Sequence, residues 1–406
     1  MVVLMTMRGK KKHPQSAILR RLLKYPMSQH FDVCIRGAGV VGRTLALLLA
    51  RERLRVALVA KPAGLDGAES GVSAVDVRAY ALNTASKKLL ESLRAWPDGS
   101  AATPVTQMQV WDAEGGGAPQ LEFSAQDAQQ AALAWIVDVP TLEQQLAEAA
   151  RFQPQIELVR EPARAALQVV CEGQHSSSRN EFGATWSVRP YSQKAIAARL
   201  ASDKPHLGVA RQWFKNGEIL ALLPTSGADG NSVALVWSVA AERADVLQQL
   251  SNEDFSAALQ ADCGEKPGHL HLISERSSWP LARSNADRWV GPGWALAGDA
   301  AHTVHPLAGQ GLNLGLADVR ELADVIAKRE YWRGLGDEKL LRRYERARKA
   351  DVAAMGAVTD QLHGLFAQTD ARWAALRDWG LKGFANSGPL KSWVVRHATG
   401  RQAAGS

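Results

Sequence analysis

Residues 31–60 read "FDVCIRGAGVVGRTLALLLARERLRVALVA": a short apolar run, a glycine turn, an apolar stretch at helical spacing and a second apolar run. That order predicts strand, turn, helix and strand, the opening of a βαβ unit. Gly37, Gly39 and Gly42 complete G-x-G-x-x-G in the context that gives the pattern a mechanism. The first glycine permits the tight turn and the second lets backbone approach a pyrophosphate. The third lets helix pack on strand, and the helix N-terminus faces the anion. Gly37, Gly39, Val41 and Gly42 are therefore candidate cofactor-binding residues.

A second glycine-rich stretch, "GDAAHTVHPLAGQGLNLGLAD" (298–318), follows the strand-like "WALAG" and leads into an amphipathic pattern. Asp299, His302 and His305, each three apart, are of the residue types that ligate zinc or iron. Pro306 and the glycines break any helix that would hold both imidazoles together, so no metal is expected. A long cofactor with a polar chain and a polarisable ring fits better. Asp299 would accept hydrogen bonds from sugar-like hydroxyls. The backbone N–H groups of Gly309, Gln310, Gly311, Leu312 and Asn313, at the positive end of the following helix, would face a ring atom that turns anionic on reduction. A flavin has both parts, and the first glycine turn supplies the pyrophosphate site. The two stretches together point to FAD.

The chain has 406 residues, 46% hydrophobic and 22% charged, enough apolar material for a large core and two intertwined domains. No apolar run approaches the roughly 20 residues that cross a bilayer, and no signal peptide is read, so a cytoplasmic protein is expected. The three cysteines, Cys34, Cys171 and Cys263, are too scattered to suggest a disulfide framework. The net charge of +7 resembles a nucleic-acid signal until it is located. Residues 1–26 carry seven basic and no acidic side chains, which leaves 41 basic against 41 acidic in the rest. A balanced body argues against a phosphate-backbone binder. The basic tail reads as a disordered arm, a membrane-surface arm, a presequence or a start set too far upstream of Met27.

Downstream, 75–96 has helical spacing, 104–136 shortens into strands, and 140–152 reads as a helix before a buried strand at 165–173. Strand-like pieces return from 189 to 240, 243–262 reads as a helix, and basic helical segments run from 338 to the end. The expected fold is α/β: an FAD-binding Rossmann-like βαβ domain interleaved with an antiparallel-sheet substrate domain, plus C-terminal helices. The expected boundaries are a tail at 1–26, FAD-binding parts at 27–103, 161–185 and 285–335, substrate-domain parts at 104–160 and 186–284, and a helical region at 336–406.

These segments resemble the aromatic-ring hydroxylases of the para-hydroxybenzoate hydroxylase type, and within them the ubiquinone-biosynthesis hydroxylases of the UbiH/UbiF class. The likeness runs from Met27 over nearly the whole chain and rests on residues 32–51, "DVRAYALNTASKKLLESLRAW" (76–96), "WIVDVPTLEQQL" (135–146), "LALLP" (220–224), 298–322 and "YERARKADVAAM" (344–355). The resemblance implies an FAD monooxygenase in which NAD(P)H reduces the flavin and one atom of O2 enters a lipophilic, polyprenylated phenol. It implies that Arg78 contacts the cofactor, that Asp299 holds the ribityl chain, that Gly309 to Asn313 line the ring edge, and that Pro306 lies beside the reactive ring position, with His305 as a candidate proton relay. It also raises the expectation of a peripheral contact with the inner membrane face and of membership in a quinone-biosynthesis complex. The tryptophans, 13 in number, and the basic "LKSWVVRHATGR" (390–401) would suit a lipid-facing surface, although core packing is the commoner use of tryptophan.

Two departures stand out. The second strand ends at Ala60, where this logic places an acid on the adenosine ribose. Its absence removes one charge-assisted hydrogen bond, about 1.5–3 kcal/mol, so FAD affinity should fall without vanishing. In "VVCEGQHSSSR" (169–179) Glu172 stands where the family has aspartate, which moves the charge by about one C–C bond, ~1.5 Å. These departures motivate an alternative, a non-catalytic or weakly flavin-binding subunit of a quinone-biosynthesis assembly. A flavin reductase of isoprenoid chains is a second enzymatic rival.

Overall fold

The computed structural model describes residues 31–60, 77–99, 101–111, 117–227, 229–304 and 310–367. Phe31–Arg36 and Val56–Val59 are strands and Val40–Arg51 is the helix between them, as the glycine pattern predicts. They belong to a six-stranded sheet. Trp294–Leu296, Ala165–Val170, Phe31–Arg36, Val56–Val59 and Ile156–Val159 run parallel in that order, with Val290–Gly291 antiparallel at one edge. Both faces of its centre are covered, which is why residues 33–35, Val56–Val59 and Trp294–Leu296 are continuous apolar runs. Val33, Ile35 and Leu58 pack under Leu45 and Leu49 on one face, while Phe31, Cys34 and Ala57 form a cluster on the other.

The larger sheet has nine strands. Its centre is the 17-residue strand Trp186–Ser202, which pairs antiparallel with Ser232–Ala240 on one side and Ser277–Ala286 on the other. Alternation sends Ile196, Leu200, Trp213, Leu222, Leu235 and Trp237 to the face covered by the helices Ala241–Gln249 and Asn252–Cys263. Trp237 and Phe255, both fully buried, meet edge to face at 6.1 Å between ring centroids. Each such side chain contributes on the order of 2 kcal/mol by burial.

A three-stranded sheet, in the order Ala79–Leu82, Ala134–Asp138, Ala102–Val105, lies between the two. Here the structure departs from the sequence pattern. Within 75–96, read as a helix after a loop, residues 79–82 form a strand that pairs with Ala134–Asp138, and the helix begins at Thr84, where the Asn83 side chain accepts from the Ser86 N–H at 2.9 Å. Strand pairing sets the backbone there. The helix read at 243–262 is divided at Ser251, whose hydroxyl caps a new N-terminus by accepting from the Asp254 N–H. Ile156–Val159, expected with the antiparallel domain, pairs with Val56–Val59 in the parallel sheet. The basic tail and residues beyond 367 lie outside the described residues.

Candidate functional site

Three loops leave the parallel sheet at the carboxyl ends of neighbouring strands. The glycine turn follows Arg36, the Glu172 loop follows Val170, and the Asp299 turn follows Leu296. With strands about 4.8 Å apart, the outer two loops start roughly 10 Å from each other. Ligand crevices in α/β sheets form at such ends.

The glycines divide into two kinds. Gly37 has φ +109°, and a Cβ there would lie 2.4 Å from the Cys171 carbonyl oxygen; a Cβ on Gly42 would lie 1.9 Å from the Gly37 carbonyl. Those two are glycine because backbone packs on backbone. A Cβ on Gly39 or on Gly311 would meet nothing within 4 Å among the described residues. These two open positions sit on the first turns of the helices Val40–Arg51 and Gln310–Ala327, neither of which has an acid there. The first N–H groups of a helix have no partner within it, so both positive helix ends offer donors beside these glycines.

The two first turns converge. The Val41 side chain lies between the first helix, the second helix and the Asp299 turn, with both Cγ atoms 3.3 Å from the Cβ position of Gly298 and Cγ2 3.0 Å from that of Gly315. Val40, Leu312 and Leu316 share one buried cluster. Val41 thus acts through its side chain as the spacer that sets the helix ends side by side.

Asp299 lies on the short 3-10 turn Gly298–Ala300. Its residue surface is exposed, yet protein surrounds the carboxyl on nearly every side, as expected at the floor of a deep cleft. Burial pushes this carboxyl above the usual carboxylate range and Asp318 adds to the rise, while His302 and Arg78 pull the other way. Arg78, 221 residues earlier in the chain, is thus brought within electrostatic reach of Asp299. The Arg78 carbonyl accepts from Arg199 Nη2 at 3.2 Å, and Arg199 also pairs with Asp138, which ties the Arg78 segment to the larger sheet.

A buried network holds the Asp299 turn from behind. The Asp318 carboxylate, wholly inaccessible, accepts from the Gly298 N–H at 3.0 Å, from His302 Nε2 at 2.7 Å and from Arg348 Nε at 2.8 Å. Burial alone would raise this carboxyl; His302 and Arg348 outweigh it and hold it below its usual value. The His302 ring stacks on Trp289 at 4.7 Å, and the Tyr344 hydroxyl donates to the Leu296 carbonyl at 2.8 Å. His302 is therefore a structural donor. Among the described residues no cluster of histidine, cysteine and carboxylate side chains could hold a metal. Sequence reading passed over Asp318 and Arg348; their only signal was a place inside two of the quoted family segments.

Two further residues have roles that spacing did not reveal. Asn313, expected at the ring edge, accepts through Oδ1 from the Asn83 N–H at 2.9 Å and from the Ser86 hydroxyl at 2.7 Å, and donates to the Ala81 carbonyl at 2.8 Å. Its side chain fastens the helix to the Arg78 segment. Arg179 donates to the Ala300 carbonyl at 3.0 Å and to the Gln174 carbonyl at 2.9 Å, with its guanidinium 3.6 Å over the Trp186 ring. Glu172 accepts from the Ser176 and Ser178 hydroxyls, both at 2.7 Å, so its extra methylene is absorbed within its own loop. His305, Pro306 and Gly309 lie outside the described residues, and Gln310 is described only as the first residue of its helix.

The sequence profile described as "FAD binding domain" matches residues 118–359, more than half of the chain. A relative, ubiquinone hydroxylase UbiL of Rhodospirillum rubrum, is 31% identical over 392 residues, covering 91% of this chain and 89% of its own. The chain belongs to the FAD-dependent hydroxylase family. The 3-demethoxyubiquinol 3-hydroxylase of Escherichia coli is 28% identical over 400 residues, 92% of this chain and 99% of that one. Among solved structures, pqsL, a probable FAD-dependent monooxygenase from Pseudomonas aeruginosa, superposes with a TM-score of 0.70 over 87% of this chain and all of its own at 21% identity, a likeness of fold.

The residues present fit FAD in this flavoprotein. Gly39 and Gly311 leave the two helix ends open, Asp299 is a carboxylate in an accessible cleft, and Val41 holds the ends together. Ala60 offers no carboxylate at the ribose position; its N–H is spent on the Val159 carbonyl at 3.0 Å. Substitution separates binding glycines from structural ones. Gly39→Ala is expected to leave the melting temperature unchanged, because its Cβ enters open space, while FAD affinity falls roughly tenfold or more, about 1.4 kcal/mol. Thermal melting without FAD, together with flavin titration, checks both halves.

Proposed function

We propose that this flavoprotein hydroxylates a polyprenylated phenol ring in ubiquinone biosynthesis, with NAD(P)H as reductant and O2 as oxygen source. The observation that carries the reading is the convergence of the N-terminal ends of two helices, neither with an acid in its first turn, on one cleft with the Asp299 carboxylate on its floor. Bound there, FAD would supply the electron transfer and oxygen activation that side chains lack. The Gly39 turn would hold the pyrophosphate and Asp299 the ribityl hydroxyls. The first turn of Gln310–Ala327 would offer N–H groups to the ring's pyrimidine edge. Arg78 would balance the charge of Asp299, and the packed sheets on either side would exclude water. His305 and Pro306 are proposed at the ring from the family resemblance.

The names of the relatives support the substrate class, since UbiL and the Escherichia coli hydroxylase are both named for ubiquinone chemistry. A non-catalytic scaffold is not favoured: the family is one of hydroxylases, and Glu172 is accommodated without disturbing the cleft. No helix among the described residues is long and apolar enough to cross a membrane. A polyprenyl tail implies an encounter at a lipid surface, so we place the protein peripherally on the inner membrane face, in contact with other enzymes of the pathway. The interleaved division into FAD-binding and substrate parts belongs to the same proposal, with Ile156–Val159 assigned to the FAD-binding part by its strand pairing.

The test is reconstitution with FAD and assay with a farnesylated phenol under isotopically labelled O2. One labelled oxygen atom in the product, with phenol-stimulated NAD(P)H oxidation, is expected. Reductant consumption with an unlabelled, unhydroxylated product would overturn the reading.

A further inference from the structure

The larger sheet has one face packed under helices; the alternate residues form the opposite face, which is turned toward the Arg78 segment. Register defines that face. Arg199, Ala234, Leu223 and Ala210 form one row across four strands, and Ala197, Val236, Ala221 and Gln212 form the next. The first row reaches the cofactor side directly: Arg199 holds the Arg78 carbonyl, and Ala210 and Leu223 pack with Ala79 and Ala81. Most of these positions carry alanine or another short side chain, which leaves a broad and shallow apolar floor.

Gln212 breaks that pattern. It is only 6% exposed and lies between two apolar clusters, Val110, Phe214 and Ile219 on one side and Val105, Ile136 and Ala210 on the other. Its side-chain amide makes no hydrogen bond to any of the described residues, whereas the buried side chains of Arg179, Asn313 and Asp318 elsewhere in the fold are multiply bonded. Neither of its amide atoms is among the fully enclosed side-chain atoms that lack a partner, so the amide reaches accessible space on this face, and an apolar residue of the same shape would serve the fold as well. Ser238, 4% exposed on the same face and one row further on, likewise makes no side-chain hydrogen bond among the described residues.

We propose that Gln212 is the residue that reads the oxygen-bearing edge of the aromatic substrate, its amide exchanging hydrogen bonds with the phenol, while the alanine-lined rows accept the apolar tail. This rests on the hydroxylase reading above and names the specificity element of that same cleft. A phenol can both donate and accept, as can an amide, so one residue suffices to distinguish a hydroxylated ring from its deoxy counterpart.

The experiment uses the FAD-loaded protein, with 2-farnesylphenol and farnesylbenzene as probes, and the variants Gln212→Met and Ser238→Ala. Binding is read from perturbation of the flavin absorbance and stability from thermal melting. For Gln212→Met we expect a melting temperature equal to or above that of the parent, unchanged flavin content, and farnesylphenol binding weakened at least tenfold with farnesylbenzene binding unchanged. Ser238→Ala distinguishes Gln212 from its neighbour and should weaken phenol binding less than threefold. Equal phenol affinity in parent and Gln212→Met, or a fall in melting temperature matching the loss for both probes, overturns the role of Gln212 while leaving the hydroxylase reading intact. Failure of the parent protein to prefer farnesylphenol over farnesylbenzene sinks both together.

Discussion

Replacing Asp299 with alanine is expected to give a folded, colourless protein. The carboxyl is accessible in the cleft and stands outside the hydrogen bonds that hold the turn, which run through the Gly298 N–H and the Ala300 carbonyl. Its confinement opposes ionisation, so the free protein gains stability or stays level when it is removed. The loss falls on the cofactor. Two hydrogen bonds from ribityl hydroxyls to a carboxylate, at about 1.5–3 kcal/mol each, correspond to a drop in FAD affinity of two orders of magnitude or more. Asp299→Asn keeps acceptor capacity without the charge and should fall between. Flavin retained at parental stoichiometry through purification of Asp299→Ala would refute the assignment. The raised carboxyl also sets a pH signature. Protonation removes the charge and turns one acceptor oxygen into a donor, so FAD affinity should decline as pH falls through a value above the ordinary carboxylate range. Alanine at 299 should abolish that dependence.

The parts of this site that were legible in the sequence are those that depend on local geometry. Gly37 and Gly42 announce a turn because no side chain fits against the Cys171 and Gly37 carbonyls, and this constraint acts within one strand-turn-helix unit. Asp299 was legible because it ends an apolar strand and opens a glycine-rich loop. Partnerships over long separations were not legible. His302 next to His305 reads as a metal ligand by spacing, and only the fold shows its ring nitrogen spent on Asp318, 16 residues away. Arg348 sits in the basic helical segments read from 338 onward, where nothing in the local pattern marks it as buried, yet it is 4% exposed. Asn313 stood among the expected cofactor contacts, and its side chain proved to be a clasp on residues more than 200 positions earlier. Residues 79–82 illustrate the same limit, since the segment read as a loop before the helix is a strand only by virtue of a partner that begins at Ala134. In each case the side chain's role is set by a neighbour that no local pattern contains.

Arg348→Met is expected to be the most destabilising single change at the site that leaves every glycine and every cofactor contact in place. The substitution keeps length and apolar bulk but leaves Asp318, which has no access to solvent, with one strong counter-group in place of two. Breaking a buried ion pair from one side costs about 3–5 kcal/mol, because the remaining charge cannot be rehydrated. The acid limb of stability should move as well. In the parent, the folded Asp318 carboxyl lies below its unfolded value. The stabilisation it provides is therefore present above the ordinary carboxylate pKa and is lost as pH falls through the lower folded value. Without Arg348 that folded value rises, so loss begins at higher pH. Urea unfolding followed at neutral pH and across the acid range measures both effects. The decisive comparison is with Arg348→Met combined with Asp318→Asn. If the penalty comes from a stranded charge, neutralising the carboxylate returns much of it, even though a further native hydrogen-bond partner has been altered. Additive losses in the double variant would instead mean that each side chain acts through its own packing, and the network would not be the support of the Asp299 turn that its geometry describes.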